Sequence, residues 1–226
     1  MKNTITVHGI GKVTAKADVA YVILYVKTDR LSMVNAAENT AREYGEIEKS
    51  LKNKYKEIKN ISAENIMVGS ANNSNAFIPN TSGEQYFEIV KRIIISLPPT
   101  PQLAYKVIDT ATKEGATINV PSFTDYFGPF KNAVLYGLLS FSKSKTQAKE
   151  KALNNAKDTA EKLASLVGKR IGNIVSICLS NNNNSCSSMY SNMGSKTRLP
   201  TKYLGLNPEK IKIHCKETVT YELLKK

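Results

Sequence analysis

Residues 4–13 have the sequence Thr-Ile-Thr-Val-His-Gly-Ile-Gly-Lys-Val, in which apolar and polar side chains alternate up to two glycines. Alternation with a period of two is typical of a strand that buries one face. The glycines at 9 and 11 predict a bend or bulge in that strand. The next apolar run, residues 19–27, is rich in β-branched and aromatic side chains and predicts a central strand. The chain is therefore expected to open with two strands.

Three later segments show the three-to-four-residue apolar period of a helix. The first follows Ser32, a suitable N-cap, and the second runs from Pro101 to Gly115. The third covers Thr146–Val167 and is ended by Gly168. The inward face of the first helix is predicted at Val34, Ala37, Ala41, Tyr44, Ile47, Leu51 and Tyr55. That of the third is predicted at Ala148, Ala152, Ala156, Ala160, Leu163 and Val167.

The remaining periodic segments predict strands that occur in pairs between the helices. Tyr86–Leu97 alternates, so we expect one wet face that carries Glu88 and Arg92. The other strands are predicted at Ile66–Ser70, Ile118–Phe123, Leu135–Ser142, Ile174–Leu179 and Ile211–Leu224. The order β-β-α-β-β-α-β-β-α-β-β favours an α+β fold, with antiparallel or mixed β-sheets covered by three helices. We expect a single domain over residues 1–226, with two α/β lobes as the alternative.

Residues 180–207 form a long polar stretch that includes four consecutive asparagines. A connection of this length without structure of its own is unusual in a compact domain. We predict a mobile Asn/Ser-rich loop that folding does not require, and a binding loop is the alternative.

The net charge of +13 is concentrated in the C-terminal part of the chain. Residues 1–130 carry 15 Lys/Arg against 13 Asp/Glu, whereas residues 131–226 carry 17 against 6. Such a field favours anionic partners, and the alternative is that the charge serves solubility alone. If an anionic polymer or membrane surface binds, we expect it to contact Lys143, Lys145, Lys149 and Lys151.

The three cysteines, Cys178, Cys186 and Cys215, show no CxxC spacing. Cys178 and Cys215 lie within predicted strands, which favours buried or half-buried free thiols. A Cys178–Cys215 disulfide is the alternative, and it requires those strands to pair in an oxidising compartment.

Residues suited to catalysis, cofactor binding or metal binding are sparse in this sequence. Only His8 and His214 have the side chain most used for acid–base chemistry at neutral pH, and neither has an acidic or cysteine neighbour at ligand spacing. The segment Gly9–Lys12 differs from a phosphate loop, because Thr6 stands where that motif needs glycine and Val13 follows the lysine. We therefore predict a protein that is not an enzyme and that holds no cofactor or metal.

Aromatic residues near basic ones occur at Tyr21, Tyr25, Tyr86 and Phe87. Such residues can stack on nucleic-acid bases, but no ribonucleoprotein-type motif accompanies them here. Aromatic residues in strands usually belong to the core, so this pattern disfavours a nucleic-acid partner.

No apolar run approaches the roughly 18–20 residues of a membrane-spanning helix. Residues 1–4 lead directly into the first strand, without the apolar segment of a signal peptide. We expect a cytoplasmic protein with no transmembrane segment. A leader removed before residue 1 would leave the same sequence, so a periplasmic or secreted protein is the alternative.

Several landmarks occur in an order that resembles the SIMPL-domain family, which includes bacterial YggE-like proteins and periplasmic immunogenic proteins. Ile5-x-Val7-x-Gly9-x-Gly11-x-Val13 is similar to the first strand and glycine turn of that family. Ala15-x-Ala17-Asp18-x-Ala20 is similar to the entry to its second strand, where the family usually has Pro-Asp. The similarity covers about Ile5–Leu179 and resumes at Thr218–Leu223.

Two further landmarks of the resemblance lie in the predicted helices. Val107-Ile108-Asp109-x-Ala111, followed by Gly115-Ala116, is similar to the family's middle helix and its exit. The alanine-rich residues 152–164, followed by Gly168 and Gly172, are similar to its third helix and the next turn. Members of that family are mostly secreted or periplasmic, are linked to stress tolerance and can form homo-oligomers, and the resemblance implies the same for this protein. It implies no catalytic residues.

Our leading hypothesis is a non-enzymatic protein that acts through self-association or protein binding. The long apolar strands at residues 19–26 and 86–95 need covering on more than one side, yet only three helices are available. Apolar surface left over after folding marks an interface. The alternative hypothesis is a basic module that docks on an anionic polymer or a membrane surface.

Overall fold

The computed structural model describes residues 3–71, 86–118, 133–178, 186–188 and 199–225. Within these described residues, three helices and two antiparallel sheets make an α+β protein, as the sequence predicted. The chain forms two compact units, one of residues 1–18 and 136–226 and one of residues 19–135. The elements are β1 (Thr4–Ala15), β2 (Val19–Arg30), α1 (Met33–Lys54), β3 (Asn60–Ala71), β4 (Tyr86–Leu97), α2 (Pro101–Lys113), β5 (Val134–Gly137), α3 (Ser142–Leu166), β6 (Lys169–Cys178), β7 (Cys186–Ser187), β8 (Leu204–Gly205) and β9 (Ile211–Lys225).

The first unit is built on an antiparallel sheet whose central strand is β9. Strand β1 pairs with β9 along its whole length, from Thr4 opposite Glu222 to Ala15 opposite Ile211. On the other side of β9 lie β6, opposite residues 218–225, and the short β7. Helix α3 packs on one face of this sheet and buries a core cluster of Val7, Ala156, Ala160, Val219 and Tyr221.

Close packing between α3 and β1 explains the two glycines of the opening stretch. A Cβ atom at Gly9 would overlap the carbonyl oxygen of Ala152, and one at Gly11 would overlap that of Ala148. Because only hydrogen occupies these positions, the helix backbone rests directly on the strand. The helix contributes a stripe of fully buried alanines with a spacing of four, Ala148, Ala152, Ala156, Ala160 and Ala164.

This stripe corrects part of the prediction for the third helix. The alanines predicted to face inward are buried, but Leu163 is 43% exposed and Val167 is 64% exposed. Ala164 occupies the inward position because the contact with β1 accepts only small side chains. Gly168, at φ 67°, then turns the chain from the helix into β6.

The second unit contains β4 between β2 and β3, with α1 and α2 packed against the sheet. Residues 19–26 of β2 are all buried. The predicted wet face of β4 is wrong, because Glu88 and Arg92 are buried as well. Both charges have partners on neighbouring strands, with Lys27 Nζ 2.9 Å from Glu88 and Arg92 Nε donating to Glu64 at 3.0 Å.

The buried face of α1 also differs from the prediction. Helix α1 begins after Ser32 as expected, but Val34, Ala37 and Ala41 are exposed. Its buried residues are Ala36, Thr40, Ile47 and Leu51. The hydroxyl of Thr28 on β2 donates to the carbonyl of Ala36 at 3.0 Å and also contacts the Thr40 hydroxyl. A polar threonine therefore occupies the buried face with its hydrogen bonds satisfied.

Within the polar stretch at 180–207 the structure describes residues 186–188 and 199–207, which include β7 and β8. That the stretch is a mobile loop not required for folding stays a prediction. Tyr203 and Leu204 are buried, and β8 pairs with the end of β5 at Tyr136 and Gly137. Ser188 is buried and links two parts of the stretch, because its hydroxyl donates to Lys202 O and accepts from Leu204 N, both at 2.9 Å. Residues 179–185 and 189–198, like most of the predicted strand at 118–123, lie outside the described residues.

Candidate functional site

The four lysines predicted to contact an anionic partner all lie on α3, but on two sides of it. A helix turns roughly 100° per residue, so Lys143 and Lys151 share one side while Lys145 and Lys149 share another. Lys143 and Lys151 are exposed, whereas Lys145 and Lys149 are half-buried next to the alanine stripe. The predicted cluster is therefore two pairs: Lys143 and Lys151 are open to solvent, and Lys145 and Lys149 lie against the rest of the first unit.

Lys149 has a structural role as the ion-pair partner of a buried carboxylate. Glu217 lies on β9 opposite Gly9, beneath α3, and its side chain is 2% exposed. The Lys149 ammonium is 3.8 Å from Glu217 Oε1. Removing the partner of a buried charge is costly, so substitution of Lys149 changes stability as well as surface charge.

The second half-buried lysine, Lys145, lies beside another cation. Burial, and then the charge of Lys145, lower the pKa of Lys202 below its usual range. The carbonyl oxygen of Lys145 is 3.9 Å from the sulfur of Cys215. These contacts join α3 to β9 and to the segment that contains Tyr203.

Both histidines lie on the face of the first sheet that is turned away from α3. His8 Nδ1 forms a hydrogen bond with the Thr218 hydroxyl at 2.8 Å, directly across the β1–β9 pair. His214 lies opposite Lys12 on β1 and Ser187 on β7. Over the described ranges, no group of three His, Cys, Asp or Glu side chains is arranged to hold a metal ion.

Asp18 has a structural role at the end of the first unit's N-terminal segment. Its two carboxylate oxygens accept the backbone N–H groups of Leu139, at 2.8 Å, and Ser140, at 2.9 Å. Its neighbour Ala17 donates its own N–H to the carbonyl of Pro208 at 2.7 Å. A proline at position 17 has no N–H and could not form this bond.

A disulfide bond joins Cys186 on β7 to Cys215 on β9, which corrects the prediction of a free thiol at Cys215. The two residues are directly opposite each other in the antiparallel pair, and both are buried. The alternative Cys178–Cys215 bridge is also wrong. Strands β6 and β9 do pair, but Cys178 is opposite Thr218 and is a free, exposed thiol. Spacing could not reveal the true pairing, because Cys186 lies within the polar stretch.

Strand β6 forms one edge of the first sheet. It pairs with β9 on one side, and no described strand pairs with its other edge. Residues 173–178, Asn-Ile-Val-Ser-Ile-Cys, are all exposed and contain no charged residue, glycine or proline. Ile177 is opposite Val219, a residue buried beneath α3, yet it is 40% exposed because the helix covers β1 and β9 rather than β6.

Exposed apolar side chains accumulate along β6 and the C-terminal end of α3. We call this group the β6 surface, and it consists of Leu163, Leu166, Val167, Ile174, Val175 and Ile177. The most exposed member, Leu166, is 83% accessible to solvent. The sequence pattern did not indicate this surface, because it predicts that Leu163 and Val167 face the core and that leftover apolar area lies on residues 19–26 and 86–95.

The geometry of the first unit agrees with a comparison against known protein families. A family model named SIMPL, described as a protein of unknown function (DUF541), matches residues 5–221, nearly the whole chain. The chain belongs to the SIMPL family. This confirms the resemblance drawn from sequence, and two SIMPL landmarks, the Gly9/Gly11 pair and the alanine-rich helix, are in direct contact in the structure. The bend or bulge predicted at these glycines is wrong, because both lie within β1 in regular register with β9. A comparison with curated proteins finds no match.

No helix in the described part of this SIMPL chain combines the length and apolar character needed to cross a bilayer.

Proposed function

We propose that this SIMPL protein acts without catalysis, through self-association, and that the β6 surface is the interface. The observation that supports this most directly is the uncharged, exposed edge segment at residues 173–178. An edge strand offers unpaired backbone N–H and C=O groups to another strand, and natural proteins usually protect such edges with charges or proline. Here Lys169 and Arg170 protect only the start of β6.

The composition of the segment suits pairing with an identical copy. Three of its six residues are the β-branched Ile174, Val175 and Ile177, which favour strands. A short segment with strong strand preference, no charge and no proline pairs readily with itself when it is exposed. Because each copy of the chain carries a net charge of +13, an uncharged contact region is where two copies can approach at the lowest electrostatic cost. A different protein partner at the same edge is the alternative.

Two groups that could serve acid–base chemistry have structural partners instead, which supports a role without catalysis. His8 is bonded to Thr218, and Asp18 holds two backbone N–H groups.

The disulfide supports an oxidising compartment for this protein. Disulfides persist in secreted, periplasmic and surface proteins and are rare in the reducing cytosol. Cys186–Cys215 therefore favours the periplasmic or secreted alternative over the cytoplasmic location expected from residues 1–4. A role in stress tolerance, implied only by the family resemblance, stays a prediction.

The test of this proposal is the molar mass in solution, measured by light scattering after size-exclusion chromatography over a range of protein concentrations. We expect the wild-type chain to form a dimer or larger assembly at micromolar concentration. Replacing Ile174→Lys together with Ile177→Lys should shift it to the monomer, because two ammonium groups would face those of the second copy.

The matched control is Val34→Lys with Val68→Lys, which adds the same charge at two exposed apolar positions of the second unit. This control should keep the assembly of the wild type. A wild-type chain that stays monomeric at high concentration would overturn the proposal. Loss of assembly in both double variants would also overturn it, since net charge rather than the β6 surface would then be the cause.

A further inference from the structure

The outer face of the first sheet, turned away from α3, is polar and open. Side chains at even-numbered positions of β1 point to this face, and their cross-strand partners on β9 are also even-numbered. At one end of the face the pairs are neutral or acidic, with Thr6 bonded to Thr220 at 2.9 Å and Thr4 opposite Glu222. The other end is basic.

Three exposed lysines surround one histidine at the basic end. Lys12 is directly across from His214, and Lys212 and Lys216 are two residues to either side of it on β9. Side chains two positions apart on a strand are separated by about 7 Å, so three ammonium groups share one small area. We call these three lysines and His214 the lysine face.

The lysine face has no carboxylate to neutralise it within the described part of the chain. None of the three lysines forms an ion pair there. The acidic residues nearest in sequence to Lys212 and Lys216 are already engaged. Glu209, just before β9, pairs with Lys16 at 2.7 Å, and Glu217 points to the opposite, helix-covered face. A concentrated positive area is thus left open to an anionic partner.

One large apolar side chain stands among these charges. Ile10 is 53% exposed and lies directly opposite Lys216 on the same face. An exposed apolar side chain next to two lysines, Lys12 and Lys216, matches the boundary of a bilayer, where head groups meet the acyl chains.

We propose that the lysine face docks this protein on the surface of an anionic phospholipid bilayer, with Ile10 entering the head-group layer. The face is an open sheet rather than a groove, so it can meet many head groups at once. Its cations are lysines, which act as point charges and suit a diffuse array of head groups, whereas arginine forms paired bonds to one phosphate.

The same observations disfavour nucleic acid as the partner of this face. Proteins that bind single strands stack the bases on aromatic side chains. The even-numbered positions of β1 and β9 between Thr4 and Glu222 contain no tyrosine, phenylalanine or tryptophan. The docking proposal does not depend on self-association, since the lysine face and the β6 edge are separate surfaces.

The experiment is sedimentation of the wild-type chain with vesicles of phosphatidylglycerol and phosphatidylcholine in equal parts, and with pure phosphatidylcholine, at low and physiological salt. We expect binding only to the anionic vesicles, weakening as salt rises. Lys12→Gln with Lys216→Gln should reduce partitioning of the protein onto anionic vesicles about 25-fold. Each lysine near an anionic surface contributes roughly a fivefold factor, and two are removed. Ile10→Thr should weaken binding while leaving its salt dependence unchanged.

The matched control is Lys106→Gln with Lys113→Gln, two exposed lysines on α2, which removes the same charge from another surface. It should bind within about twofold of the wild type, because screening confines a charge's effect to about 10 Å. Equal losses in both double variants would overturn the proposal in favour of a diffuse charge effect. It is equally overturned if vesicles do not bind at low salt, or if a single-stranded oligonucleotide binds and the vesicles do not.

Discussion

The two edge strands of the first sheet, β1 and β6, both pair with β9 but are treated in opposite ways by the rest of the unit. Strand β1 lies in direct backbone contact with α3 through Gly9 and Gly11. The outward N–H of Ile10 is also capped, because it donates to the Asn155 side chain of α3 at 2.9 Å. Strand β6 has neither protection along residues 173–178, where every residue is exposed.

This difference shows how small residues decide which edge of a sheet is closed. Glycines on β1 and alanines on α3 bring the helix over β1 and β9. The helix reaches the start of β6, where Ile171 packs against the core cluster, while residues 173–178 stay exposed. The apolar side chains of that segment remain exposed as a consequence of the close fit on the other side. The position of α3 therefore explains both why β1 is covered and why residues 173–178 of β6 are exposed.

The largest effect is expected from breaking the close fit on β1. Gly9→Ala or Gly11→Ala places a methyl group against helix backbone, which cannot move aside without shifting α3. We expect a loss of roughly 3 kcal/mol or more in the free energy of unfolding, at the upper end for overpacked sites. Chemical denaturation monitored by circular dichroism measures it.

The matched control for that prediction lies on the open edge. In β6, a Cβ at Gly172 would lie 3.0 Å from Cδ1 of Leu224, the flexible end of a side chain. Gly172→Ala should therefore cost no more than about 1 kcal/mol. Equal destabilisation by the β1 and β6 substitutions would contradict the contrast between the two edges.

An intermediate effect is expected from the disulfide, which holds β7 to β9 on the same side as β6. Cys186→Ser with Cys215→Ser should reduce the free energy of unfolding by about 2–4 kcal/mol, mainly because the unfolded chain regains freedom. Thermal unfolding with and without a reductant measures this loss. Cys178→Ser, which removes the exposed free thiol, should leave the transition unchanged. A double variant as stable as the wild type would show that β7 is held without the bond.

The smallest effect is expected from uncapping the β1 edge. Asn155→Ala leaves the Ile10 N–H to water and should cost about 0.5–1.5 kcal/mol. The neighbouring Asn154→Ala, also at an exposed position of α3, is the control and should cost less. If capping is what keeps β1 from pairing with other strands, Asn155→Ala should also raise the molar mass measured by light scattering. An unchanged mass would show that α3 alone shields this edge.

The elements of the fold were predictable because their signals are local. Ser32 before α1, Pro101 at the start of α2 and Gly168 after α3 mark helix ends through the conformations of a few neighbouring residues. The alternation of β1 was equally clear. What failed was the assignment of faces, as for Val34 on α1 and Leu163 on α3, because the buried side of an element depends on the partner that it meets.

The candidate surfaces were less predictable than the fold. The four lysines of α3 were predicted to act together because they are close in sequence. The structure shows instead that Lys149 pairs with Glu217 on β9. The lysine face combines Lys12 with Lys212 and Lys216, and about 200 residues of chain lie between Lys12 and the other two. No local pattern could bring these residues together, because their proximity arises from the pairing of β1 with β9.

The sequence by itself determined the α+β class, the three helices and membership of the SIMPL family, since these depend on local conformational preference and on the order of landmarks. Only the tertiary structure decided the pairing of Cys186 with Cys215, the burial of Glu88 and Arg92, and which edge of the first sheet stays open. The physical reason is that a strand's edge, its face and its cysteine partner are properties of neighbours in space. Those neighbours are distant in the chain and become adjacent only when the sheets assemble.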